Sequence, residues 1–117
     1  MVISSVATVS GVSGEVAVLR LASEARRFHY LTHLLIYRVA TLSLASSALL
    51  TITTTNLGAL AGDVSNGISA FSKVTDVDLA FPGGLRSTTL GAAATIDFPA
   101  PGLGAAWRGI AIYHTGH

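Results

Sequence analysis

Two histidines four residues apart, His29 and His33, are the first residues whose spacing could do chemistry. On a helix, H-x-x-x-H brings two zinc ligands to one face, but a metalloprotease also needs a glutamate after the first histidine, and position 30 is Tyr. The surrounding residues are those of a strand, where the two imidazoles stand ~13 Å apart, too far to share a metal. They read as two histidines along a sheet face. His114 and His117 read as a frayed polar tail at the C-terminus. Asp76 and Asp78 alternate as a pair. Such carboxylates can do acid–base work, or bind calcium with further oxygen ligands. No third or fourth ligand stands near them in the sequence, which leaves a solvated strand face. The serines include none in a G-x-S-x-G elbow. Gly102-Leu103-Gly104 precedes a strand and lacks the helix N-terminus that would hold a phosphate. With no cysteine, disulfides, cysteine zinc sites and thiol nucleophiles are excluded. The expectation is a non-enzyme with no catalytic residues, no metal and no cofactor. Trp107, Arg108 and Tyr113 remain as a candidate recognition surface, since an indole beside a guanidinium can stack on a sugar or base. A lone Trp in a β-sandwich is more often core.

Positioning such residues falls to strands. Val2 to Val9 reads as a first extended segment ended by Gly11. Glu15 to Leu21 alternates, with Val16, Val18 and Arg20 on one face and Ala17, Leu19 and Leu21 on the other. The strongest strand, Arg27 to Val39, is rich in aromatic and branched residues. It sets Phe28, Tyr30, Thr32, Leu34 and Ile36 against His29, Leu31, His33, Leu35 and Tyr37. Both faces are apolar, which predicts a central strand covered twice. Leu42 to Ser47 reads as a short strand or a connection, and Leu49 to Thr55 as a strand with Leu50 and Ile52 inward. Ala40 to Leu60 also has the Ala and Leu content to hold a helical turn. Gly58 to Gly67 reads as a loop. Val74 to Phe81 is a strand stopped by Pro82-Gly83-Gly84, and Thr95 to Phe98 and Ala106 to Thr115 complete the set. Seven to eight short antiparallel strands predict an all-β, single-domain sandwich or jelly roll.

Composition narrows the function classes. At 117 residues the chain has the length of one domain, and only 11% of its residues are charged, against roughly 25% in ordinary soluble domains. A net charge of +1 adds little self-repulsion. A surface so poor in charge is expected to be covered by copies of the chain or by a larger assembly. The seven basic residues do not cluster beyond Arg26-Arg27, so nucleic acid is not an expected partner. Between Arg38 and Asp63 lie 24 uncharged residues, enough to span a bilayer, where ~20 suffice. Thr51, Thr53, Thr54, Thr55 and Asn56 make that stretch a poor spanning helix, so no membrane is expected. The N-terminus lacks the charged and apolar regions of a signal peptide.

Three stretches together carry a resemblance: the aromatic-Leu-Thr strand from Arg27 to Leu34, the Thr-rich strand from Leu49 to Thr55, and Phe81-Pro82-Gly83-Gly84-Leu85-Arg86-Ser87-Thr88. With the closing strand Ile110 to Gly116, they are similar to small β-sandwich virion proteins of tailed phages, of the capsid decoration or cement type. The similarity is one of pattern over residues 27 to 117. Two features depart from the family pattern: Gly83-Gly84 interrupts the Pro-Leu-Arg run, and Trp107-Arg108 stands in the final strand. The resemblance implies a structural protein made in the host cytoplasm and seated on the capsid surface. Its partners would be the major capsid protein and copies of itself, as a trimer. On that reading residues 1–12 form an extended arm before a sandwich at 13–117, and Val2, Ile3, Val6 and Val9 lie in the assembly interface. The alternative is a tail-associated or lectin-like module that binds a glycan receptor. Exposure of Trp107 or Tyr113 beside polar groups would favour it.

Overall fold

Period-2 alternation of apolar residues does build strands along the chain. The computed structural model describes residues 4–40, 49–58, 60–65, 73–102 and 104–117, and eight strands run through them. They are β1 (Ser5–Ser10), β2 (Ala17–Leu21), β3 (Phe28–Ala40), β4 (Leu49–Thr55), β5 (Gly62–Ser65), β6 (Lys73–Arg86), β7 (Ala94–Phe98) and β8 (Ala105–Gly116). Leu42 to Ser47 lies outside the described residues, and so do Val2 and Ile3.

The strands form two four-stranded sheets, ordered β1-β8-β3-β6 and β2-β7-β4-β5. First pairs with last, second with seventh, third with sixth and fourth with fifth, each antiparallel. That is a chain folded into one long hairpin and rolled up, the jelly-roll winding. Inward residues of both sheets make one core: Leu19, Leu21, Leu31, Leu34, Ile36, Ile52, Ile96, Phe98 and Trp107. Trp107 is 0% exposed. Its Nε1–H donates to the Pro99 carbonyl at 2.8 Å, and Phe98 stacks on it at 5.1 Å. The guanidinium of Arg38, itself 1% exposed, lies 5.3 Å from the indole centroid. An Arg over an indole keeps a favourable electrostatic contact where water is excluded.

Several expectations need correcting. The inward face of β3 switches parity, because its register against both β6 and β8 shifts between Leu31 and His33. His29 and Leu31 point inward on one side of this bulge, and Leu34, Ile36 and Arg38 on the other. Pro82-Gly83-Gly84 does not end β6. Ala80 pairs with His33 and Leu85 with Leu31, so Phe81 to Gly84 bulge out opposite Thr32 before the ladder resumes. Gly84, at φ 89°, is required there: a Cβ would meet the Tyr30 Cβ at 2.9 Å. The loop read at Gly58 to Gly67 contains β5, held to β4 by four register pairs. The C-terminus is strand β8 up to Gly116, with His114 stacked on Tyr30 at 5.0 Å. Leu49–Thr55, within the uncharged stretch, is a strand. Among the described residues no helix is long and apolar enough to cross a membrane.

Candidate functional site

The bulge in β3 decides the histidines. His29 is buried, its Nε2–H donating to the Ala22 carbonyl at 2.7 Å and its ring tilted against Tyr113 at 5.7 Å. His33 lies on the opposite face, 2.7 Å from Asp78. The two point away from each other and share no site. Asp78 therefore spends one oxygen on His33, and the side chain of Asp76 is outside what the structure describes. Among the described residues no three His, Cys, Asp or Glu gather as a metal site would require.

Trp107, Arg108 and Tyr113 are not brought together either. Trp107 lies in the core and Tyr113 packs against it half-buried, while Arg108 points outward. Arg108 donates to the carbonyls of Gly11 at 3.2 Å and Trp107 at 2.9 Å. With its ring sealed between the sheets, Trp107 cannot stack on a ligand, which corrects its place in a recognition surface. Of the four N-terminal residues expected at an interface, Val9 turns inward onto the core and Val6 outward, 62% exposed. Ser5–Ser10 is the edge strand β1 of the chain's own sheet, in register with β8 from Ser5↔Tyr113 to Ser10↔Arg108.

What the structure does assemble is the outer face of the β1-β8-β3-β6 sheet. The register sets Val6 beside Ile112 and Ile112 beside His33, which neighbours Ala80. In the next row Thr8, Ile110, Leu35 and Asp78 stand side by side, and in the one after it Ser10, Arg108 and Tyr37. Val39 continues the apolar column along β3. Ile110, Ile112, Leu35, Tyr37 and Val39 are half-buried, yet none of them packs on the core. On neighbouring strands β8 and β3 they line up as an apolar layer on the outside of the sheet. The sequence carried this signal in the two apolar faces of Phe28 to Ala40. The expected second cover over that strand is not supplied by any described element.

The outer face of the other sheet is built differently. Thr95 and Thr55 donate to Asp97 at 3.0 and 3.5 Å, and Thr51 donates to Asp63 at 2.7 Å. Pairing of β4 with β7 covers Thr53–Thr55, and β7 ends at Phe98, just before Pro99. A shallow depression of about 350 Å³ opens there, lined by Val16, Val18, Thr51, Thr53, Asp97 and Pro99. It offers hydroxyls, one carboxylate and two exposed valines. Set against family models, curated proteins and solved structures, the chain matches none of them.

Proposed function

We propose that this chain is a non-enzymatic virion structural protein that decorates and stabilises a capsid, gripping coat subunits with the outer face of its β1-β8-β3-β6 sheet. One observation carries the reading: the apolar layer of Ile110, Ile112, Leu35, Tyr37 and Val39, set outside the core on a chain with 11% charged residues. A layer of that kind is stable in water when another protein covers it. The jelly-roll winding is used by viral coat and lectin domains alike, so the fold admits the reading by analogy without selecting it. The depression beside Asp97 favours a second reading, a glycan-binding module of a tail structure, since hydroxyls and a carboxylate at a shallow site suit a sugar.

Mixing the protein with coat shells assembled without it, then sedimenting, tests the first reading. The native chain and Thr53→Lys should travel with the shells, and Ile112→Lys should stay in the supernatant while keeping its β circular dichroism. Native protein that fails to sediment, or Ile112→Lys bound as well as native, overturns it. Saturable binding of an oligosaccharide that is lost in Asp97→Ala, without shell binding, would favour the second.

A further inference from the structure

Among the described residues the sandwich has four edge strands, β1 and β6 in one sheet and β2 and β5 in the other. Unpaired backbone groups on an edge invite another strand, and charge, proline, bulges or brevity guard against it. β6 carries Asp78, Pro82 and two register shifts, β2 carries Arg20, and β5 is four residues long with Asp63. β1 reads Ser-Val-Ala-Thr-Val-Ser, with no charge, no proline and an unbroken register. It alone among these edges has no guard.

Its free groups can be named. Ser10 faces Arg108, so Gly11 faces Trp107, and Gly11 N–H donates to the Trp107 carbonyl at 2.8 Å. Directly opposed residues that share such a bond are the hydrogen-bonded pairs of an antiparallel ladder, and these alternate with non-bonded pairs. Ser5, Ala7 and Val9 thus spend their N–H and C=O on β8. Val6, Thr8 and Ser10 turn theirs to the open edge.

We infer that β1 pairs with β1 of a second copy of this chain about a two-fold axis at Thr8. The three free residues are spaced symmetrically about Thr8. An antiparallel copy centred there sets Thr8 against Thr8 and Val6 against Ser10 in both directions, satisfying every free donor and acceptor of Val6, Thr8 and Ser10. A slide of two residues leaves one of them without a partner, and a slide of one residue inverts the faces. In the centred register Ala7 meets Val9 of the second copy on the core side, and Val6 and Thr8 stay outside. With no charge on β1, the two strands approach without repulsion. Eight strands then form one sheet, and the apolar outer layers of two copies become continuous. The contact closes with two chains and gives a dimer where the phage resemblance implies a trimer. It rests on the β1 edge, independently of the capsid reading.

Because the chain has no cysteine, a single introduced thiol reports the register. In the centred pairing the two Thr8 Cα atoms are about 5.5 Å apart, within disulfide reach. The two Val6 residues are four positions out of step, roughly 13 Å apart. The native full-length chain should have the mass of a dimer by light scattering. Mild oxidation should crosslink Thr8→Cys nearly completely and leave Val6→Cys monomeric on a denaturing gel. Thr8→Pro removes an N–H that β8 does not use, so it should keep its circular dichroism and halve the mass. Thr8→Lys and Thr8→Glu should each be monomeric and form a dimer when mixed. A monomeric or trimeric native chain, a dimeric Thr8→Pro, or equal crosslinking of Val6→Cys overturns the inference. Shell sedimentation of Thr8→Pro separates the two proposals: a folded monomer that still travels with shells leaves decoration standing, whatever the mass of the native chain.

Discussion

The two sheets face inward under one rule and outward under two. Across β2, β7 and β4 the outward rows are Val18, Asp97 and Thr53, then Arg20, Thr95 and Thr55. The hydroxyls of Thr95 and Thr55 are turned to Asp97, with Thr51 turned to Asp63 beyond them. This face is polar, with Val16 and Val18 as its exposed apolar residues in and just before the edge strand β2. Across β8 and β3 the matching positions hold Ile110, Ile112, Leu35, Tyr37 and Val39. Thr serves a strand nearly as well as Ile or Val, since both are β-branched and fit a pleated surface. Folding therefore does not demand isoleucines on the outside of β8. The difference between the faces is one of surface chemistry, not of what a strand requires of its residues.

Both faces depend on one shared core, and removing its largest member should destroy the contrast altogether. Trp107→Ala vacates the centre between the sheets, takes away the Phe98 stack and leaves Arg38 without its indole. A loss of about 3–5 kcal/mol is expected. Urea unfolding measures it, and a loss below about 1 kcal/mol would mean that the two sheets do not share a core.

The next largest effect lies where the sheets are tied at one end. Asn56 follows β4 in a left-handed conformation, φ 62°. Its Nδ2 donates to the carbonyls of Thr89, Ala92 and Ala93, and its Oδ1 accepts from the Thr88 hydroxyl and the Thr89 N–H. One side chain thus joins the end of β4 to the loop between β6 and β7. Asn56→Ala should cost about 2–4 kcal/mol, several net hydrogen bonds at ~1 kcal/mol each. Asn56→Asp keeps the acceptor, loses the donors and should fall between. Equal melting of all three chains would show that this end is held by packing.

How much of this could be read in the sequence divides along the same line. Strands with regular alternation were legible, since Ala17, Leu19 and Leu21 or Leu50 and Ile52 announce an inner face by spacing alone. Two features were not. Pro82-Gly83-Gly84 has the composition of a chain reversal, and only the distant pairing of Leu31 with Leu85 makes it a bulge. Gly62–Ser65 contains poor strand formers, and it becomes a strand because β4 offers it a ladder. Turn and strand propensities are local, whereas these outcomes are set by partners far along the chain. The outward apolar layer is visible as residues, and the same pattern fits a strand covered on both faces. Alternation says which residues share a face, and cannot say what lies over it.

Exchanging chemistry between the faces sharpens the comparison. The double variant Ile110→Thr, Leu35→Thr makes the apolar face resemble its counterpart, at a cost of about 1 kcal/mol per site for half-buried methylenes. Solubility should rise and binding of an apolar dye should fall. Thr51→Ile with Thr53→Ile should do the reverse on the polar face, with a stability change near zero. Dye binding and solubility that respond equally to both pairs would erase the distinction between the faces.

The smallest effect tests whether polarity or apolar contact organises the outer face of β8 and β3. His33 and Asp78 meet there at 2.7 Å, on the β6 side of the apolar layer. Their side chains are 42% and 62% exposed, so water competes for both groups. Holding two exposed side chains in one geometry offsets most of what the contact gains, and exposed pairs are worth about 0–1 kcal/mol. A double-mutant cycle of His33→Ala and Asp78→Ala should return a coupling in that range, and shell binding by the single variants should stay close to native. The coupling should also shrink in 0.5 M salt to the extent that the imidazole is charged, because exposed charges are screened. A coupling well above 1 kcal/mol, or loss of shell binding in His33→Ala with the fold intact, would place recognition in the His–Asp pair. The apolar residues around it would then serve as its shelter from water, and the contrast between the two faces would rest on one hydrogen bond.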